Sequence, residues 1–227
     1  MKWFDQVLTT ESSQRAELQA LRERLLYHPF WRGIEAGTLV RERLGLFALQ
    51  DWLIVRDAYR LDGLAIARAA PDLELQEMLI DKLAAKKGGP ELLMRFGEAV
   101  GLPRAAFSQV VPLAGCQALL NFFYWILETG SPEEWLVAVG ASEEVFTQLC
   151  LRVYPSLMSH YGLNASQVAF FSAHRAVGER VTPLEHWLSK QRLGPPEQQR
   201  LMRVLRLSYE YEIQFYNALL EAPLTSP

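Results

Sequence analysis

His174 is the residue in this chain that most calls for a chemical role. The sequence around it reads Asn164-Ala-Ser-Gln-Val-Ala-Phe-Phe-Ser-Ala-His174. Phe170, His174, Val177 and Val181 recur at helical three- and four-residue steps, which places the imidazole on an apolar stripe. A titratable ring there is either a neutral core histidine held by a hydrogen bond, or a ligand or general acid/base lining a cavity in a helical bundle. Carboxylates also fall on or beside apolar stripes at Asp51, Asp81, Glu143 or Glu144, and Glu212. Glu143 is in line with Phe146, Cys150 and Leu157, whereas Glu144 is in line with Gln148 and Leu151, so the period favours Glu143 as the inward one. The competing reading of both is a pair of acids at a helix start, favoured by the helix dipole. Glu212 sits mid-helix between Tyr209 and Tyr216. Burying it requires an Arg or Tyr partner, so it lines a cavity or is less buried than its stripe suggests.

The remaining polar candidates carry less. His28 precedes a proline in a turn, His160 lies near a helix end, and His186 follows Glu185 of the capping sequence Thr182-Pro-Leu-Glu185. Cys116 and Cys150 sit inside apolar patterns without Cys-x-x-Cys spacing and read as small core residues in a reducing compartment. No nucleophile elbow backs a Ser/His/Asp arrangement.

The elements that must position these groups are almost all helices, and no strand pattern stands out. Helices are expected from about Ser13 to Tyr27, from a Thr38 cap over 39–70, from Pro71 and Asp72 to Ala85, over Glu91–Val100, and through an all-round apolar segment after Pro112. Gly101 suits a left-handed helix end, and Lys86-Lys-Gly-Gly-Pro90 reads as a loop. Ser131-Pro-Glu-Glu134 is a capping box, Ser142 opens a further helix that Pro155 kinks, and a last helix covers about 196–222. At 227 residues, half of them hydrophobic, the chain is expected to form one all-α domain. Its net charge of −3, with both signs mixed along it, speaks against a nucleic-acid partner. With no apolar run long enough for a secretion signal or a membrane span, a soluble cytoplasmic protein is expected.

Four stretches carry a resemblance to a known family. They are His28-Pro-Phe with Gly37-Thr-Leu; Gly88-Gly-Pro-Glu-Leu-Leu-Met-Arg-Phe-Gly-Glu-Ala-Val-Gly-Leu102; Ser142-Glu-Glu-Val-Phe146; and Phe170-Phe-Ser-Ala-His174 with Leu184-Glu-His-Trp-Leu188. In order and spacing they resemble the heme-oxygenase-like superfamily, which contains thiaminase II (TenA), the pyrroloquinoline-quinone synthase PqqC and non-heme di-iron oxidases. The resemblance implies a compact bundle of about seven or more helices around a central pocket, usually in a homodimer. The di-iron branch ends on a helix resembling Phe-x-x-His-x-x-x-Asp-x-x-His; His174 matches, while Gly178 and Val181 stand at the other two positions. Glu144 and His174 are then the metal candidates, with a third ligand from Glu179, Asp81 or Glu212. The thiaminase branch resembles Pro-Cys-x-Trp-x-Tyr where this chain has Ala141-Ser-Glu-Glu-Val-Phe146, so its nucleophilic cysteine is missing.

Two functions follow. One is an O2-dependent oxidase or oxygenase acting on a small, possibly amino-acid-derived, biosynthetic intermediate, with no cofactor or with iron. In it His174, Glu143, Glu144 and Glu179 are catalytic, and Arg56, Tyr59, Tyr124 and Glu212 bind substrate. The other is a catalytically lapsed member that binds a small ligand or a partner protein.

Overall fold

A computed structural model describes residues 12–175 and 183–224. Among the described residues there are helices and no strands. In chain order they are α1 (Ser12–Leu26), α2 (Pro29–Glu35), α3 (Arg41–Arg68), α4 (Leu73–Ala85), α5 (Gly89–Ala99), α6 (Ala106–Gln109), α7 (Ala114–Thr129), α8 (Pro132–Ser159), α9 (Ala169–Arg175), α10 (Pro183–Ser189) and α11 (Pro195–Glu221). The long helices α3, α7, α8 and α11 form the body. The shorter α1 and α2 close it beside α8 and α11, α5 and α9 pack on each other, and α10 lies on α4.

Local chemistry explains most boundaries. Ser131 and Glu134 form the reciprocal capping box: the Ser131 hydroxyl accepts from the Glu134 N–H, and the Glu134 carboxylate accepts from the Ser131 N–H. Gly101 adopts φ 107 after α5, the left-handed conformation expected of it. Gly115 of α7 faces the backbone of α11, where an added Cβ would lie 2.6 Å from the Gln214 carbonyl oxygen. That close approach sets α7 and α11 face to face along their apolar stripes. The centre is aromatic: Phe30, Trp31, Phe47, Phe96, Phe170 and Phe171 are all at most 1% exposed, and their rings meet in edge-on and stacked pairs.

Three expectations are corrected. Thr38 does not cap α3; its hydroxyl donates to the Gly33 carbonyl, and Val40 occupies the cap position without a side-chain bond. Pro71 does not start α4; Asp72 caps it, its carboxylate accepting from the Leu75 N–H, and Leu73 is the first helical residue. Ser142 opens no helix, since α8 runs unbroken from Pro132 to Ser159 with Pro155 inside it. Glu143 and Glu144 are therefore mid-helix residues, and the reading of them as acids at a helix start does not hold. Thr182 lies outside the described residues. No helix among them is long and apolar enough to cross a membrane.

Candidate functional site

Two buried polar groupings flank the aromatic centre. The inner one is built from α3, α8 and α11. Asp51 of α3 is 8% exposed, and its Oδ2 has no hydrogen-bond partner. Removal from water, reinforced by the charge of nearby Glu212, pushes its pKa up to about 8. Glu212 of α11 is raised to about 7 by burial, against the stabilising pull of Ser142 and Tyr216. The Ser142 hydroxyl faces that carboxylate yet completes no hydrogen bond of good geometry. The Trp31 indole N–H is likewise buried and unpaired, and its ring lies 5.1 Å from that of Tyr216 and 5.9 Å from that of Phe146.

Such a cluster is costly to fold. Each unsatisfied buried polar atom costs about 1–3 kcal/mol, and two buried carboxyls that repel each other cost more. Accessibility shows what the cost accompanies. Glu212 keeps accessible surface although Tyr209 and Tyr216, on the same stripe, are 1% and 3% exposed. Ser142 and Phe146 do the same in the middle of α8. At this level Asp51 Oδ2, the Ser142 hydroxyl and the Trp31 N–H lack partners, while Glu212 has the Tyr216 hydroxyl as one.

The outer grouping lies where α4 meets α8. Lys82 Nζ is 2.8 Å from Glu143 Oε1; Lys86 Nζ is 3.5 Å from the same oxygen and 2.7 Å from Asp62 Oδ2. The Asp62 side chain is 1% exposed, that of Lys82 11% and that of Glu143 42%, so the cluster runs from the interior to the surface. Burial would raise the Glu143 pKa, but the two ammoniums outweigh it and hold the carboxylate below its ordinary value. Burial lowers Lys82, partly offset by Glu143, whereas Glu143 and Asp62 outweigh burial at Lys86 and raise it.

His174 stands beside the outer grouping, near Glu143 and Lys86. Its Nδ1 bonds the Phe170 carbonyl at 2.9 Å, and its ring packs 4.9 Å from Phe146 and 4.7 Å from Phe170. Desolvation lowers its pKa despite that bond and the nearby Glu143. The imidazole is thus held by the backbone near Glu143 and Lys86 of the outer grouping.

The other residues singled out from the sequence are dispersed. Glu144 is gripped by Arg22, with Nε and Nη2 at 3.0 and 2.5 Å from its two oxygens. It faces α1, so Glu143 rather than Glu144 is the carboxylate near His174. Arg56 is half exposed and pairs with Asp57, to which Tyr124 also donates at 3.0 Å. Tyr59 donates to the Lys86 carbonyl at 2.8 Å near the surface. These three lie along the outer side of α3 and on α7, away from Glu212, because the arginine reaches solvent and the tyrosine hydroxyls find surface partners. Asp81 is exposed and Glu179 lies outside the described residues. Among the described residues no three His, Cys, Asp or Glu side chains converge as a metal set. Glu143 and Glu144 are already neutralised by lysine and arginine, so this donor set does not fit iron. Cys116 and Cys150 are buried free thiols, Cys116 pushed up to about 12 and Cys150 well above its ordinary value by burial, so neither is an available thiolate. Sequence reasoning placed Asp51 on a stripe without a role and passed over Ser142, Lys82, Lys86 and Asp62. The four-residue spacing of Lys82 and Lys86 was the available signal.

The TENA/THI-4/PQQC family model matches residues 15–222. The chain belongs to this family. Its architecture is accordingly shared with solved members of the TenA group at low identity. A TenA homologue from Pseudomonas syringae pv. tomato str. DC3000 superposes with a TM-score of 0.82 at 9% identity, covering 92% of each chain. A domain of unknown function with a heme oxygenase-like fold from Shewanella denitrificans OS217 gives 0.79 at 15% identity, covering 94% of this chain and 93% of that one. A candidate TenA-like thiaminase from Sulfolobus solfataricus P2 gives 0.69 at 15% identity, covering 94% and 97%. At such identities the likeness establishes the heme-oxygenase-like all-α fold and nothing finer. No curated protein matches the chain.

Proposed function

We propose that this TenA-family chain is an enzyme that transfers protons to and from a small nitrogen-containing organic molecule held between Asp51 and Glu212. The observation that carries this reading is the pair itself: two carboxyls on different helices, buried together, with pKa values near 8 and 7. Both titrate near neutrality, where a group can serve as acid in one step and base in the next. A ligand with N–H donors or a positive charge would satisfy the free Asp51 oxygen and relieve the repulsion. The unpaired Ser142 hydroxyl and Trp31 N–H would complete its polar contacts. Ser142 stands where the resemblance to thiaminases would place a cysteine; a hydroxyl with no base bonded to it is a poor nucleophile, so proton transfer rather than covalent attack is assigned to the site.

Thiamin, suggested as a probe by the thiaminase-named relative, is a cationic aminopyrimidine of the chemistry described. Calorimetric titration with thiamin and its isolated aminopyrimidine half is expected to show binding by the native protein, weakened at least tenfold in Asp51→Asn and Glu212→Gln. Equal binding by all three proteins overturns the placement of the site.

A second reading is oxidation of such a molecule by O2 with His174 as the base. It is favoured by the neutral imidazole set between Phe146 and Phe170. Oxygen consumption that depends on the bound molecule and is lost in His174→Gln would support it; turnover without oxygen uptake would sink it.

A further inference from the structure

The outer cluster is left unused by proton transfer at Asp51 and Glu212. It contains the chain's unusual cations. Of 23 basic residues only five are lysines, and three of those are Lys82, Lys86 and Lys87. Apart from Lys190 on Glu74, the other ion pairs among the described residues use arginine, including the buried Arg22. Arginine keeps its proton throughout the working pH range, whereas a buried lysine amine can lose it. The amine at position 82 is 11% exposed and four residues from a second ammonium that shares its carboxylate oxygen. Asp62 fixes Lys86 in place at 2.7 Å, so Lys86 remains a standing positive charge next to Lys82. Glu143, 42% exposed, is the opening of this cluster to solvent.

We propose that Lys82 is a carbonyl-reactive amine that forms an imine with a small aldehyde or 2-keto acid entering past Glu143. The Lys82 ammonium passes one proton to Glu143 Oε1, 2.8 Å away. The freed nitrogen lone pair attacks the carbonyl carbon, making the C–N bond as the C=O π bond opens onto oxygen, and one N–H proton passes to that oxygen to give the carbinolamine. Glu143 then returns its proton to the carbinolamine hydroxyl, the C–O bond breaks, and water leaves as the nitrogen lone pair forms the C=N bond of the protonated imine. Lys86 adds a smaller push to the lowering of the Lys82 amine by burial, and its positive charge faces the carboxylate of a keto acid. This inference is independent of the proton-transfer reading of Asp51 and Glu212.

The test is reductive trapping of the full-length protein with glyoxylate and sodium cyanoborohydride at neutral pH, with peptide mass mapping over time. Carboxymethylation at Lys82 is expected to run ahead of that at the other four lysines, since an amine pKa lowered by burial raises the neutral fraction. Glu143→Gln, which removes the proton carrier, is expected to slow trapping at Lys82 even though loss of that charge leaves more of the amine neutral, and to leave Lys190 unchanged. Trapping at exposed Lys87 and Lys190 ahead of Lys82, or faster trapping at Lys86, overturns the assignment. Unchanged Lys82 kinetics in Glu143→Gln overturn the role given to Glu143. None of these results depends on Asp51 or Glu212, so failure here leaves that reading standing.

Discussion

Replacing Asp51 by asparagine is expected to stabilise the protein, and by an amount that grows with pH. The ordinary carboxyl value is 3.8 and burial lifts this one to about 8. A group whose folded pKa lies above its unfolded value contributes stability below the unfolded pKa that is lost as pH rises to the folded one. The window here is pH 3.8 to about 8. At about 1.4 kcal/mol per pKa unit, the penalty of keeping Asp51 in the fold is roughly 2 kcal/mol at pH 5.5 and about 5 kcal/mol at pH 8. Asparagine has nearly the same shape and carries no charge at either pH. The advantage of Asp51→Asn over the native protein should therefore be about 3 kcal/mol larger at pH 8 than at pH 5.5. His28 and His174 titrate in the opposite sense, each lowered by burial. Their effect is common to both proteins and cancels in the difference. Urea unfolding of the two proteins at both pH values measures it. The same difference at pH 5.5 and pH 8, or a less stable Asn variant at both, refutes the premise that Asp51 is buried without a compensating partner.

Glu212→Gln should leave the fold intact and lower turnover about 10²-fold or more, as loss of a general acid or base does; steady-state kinetics against pH should also lose the inflection near 7. His28 accepts from the Phe30 N–H through Nδ1 and bonds Asn217 through Nε2, and burial lowers its pKa despite the Asn217 bond. It contributes stability above pH 6.5 that is lost as pH falls, so His28→Gln should flatten the acid side of the thermal stability profile below about 6.5. Gly115→Ala should destabilise by about 1–3 kcal/mol, because its Cβ meets the Gln214 carbonyl oxygen at 2.6 Å. Gly63→Ala, also helical but with nothing within 4 Å, should instead gain about 0.5–1 kcal/mol, and chemical denaturation separates the two.

Helix positions were legible in the sequence because their signals are local: the Ser131 capping box, Gly101 and the apolar stripe of α11 each act within a few residues. The boundary at Ser142 was misread for the complementary reason. A cap-type residue inside a helix is recognised only when the carboxylate it faces, here Glu212, is known. The site was legible in parts. His174 and Glu212 announced themselves by sitting on apolar faces, whereas the reading of Glu143 as the inward carboxylate does not hold by exposure: its side chain is 42% exposed against 18% for Glu144, which Arg22 holds. Pairing was not legible, since Asp51 and Glu212 stand 161 positions apart in the chain and Lys82 and Glu143 stand 61 apart. Arg56, Tyr59 and Tyr124 were chosen for their chemistry, yet each satisfies it at the surface. Glu144 was chosen for its place beside Glu143, but a step of one residue turns a side chain about 100° round a helix, and it found Arg22.

The most direct test of the central claim is a carboxyl titration by NMR of protein carrying 13C-labelled aspartate and glutamate side chains. The account predicts one aspartate signal titrating near 8 and one glutamate signal near 7, the first absent from Asp51→Asn, the second from Glu212→Gln, and both moved when a ligand binds. Finding every carboxyl ionised in the ordinary acidic range would contradict it, because the two side chains would then be solvated or paired and would have no proton to exchange at neutral pH.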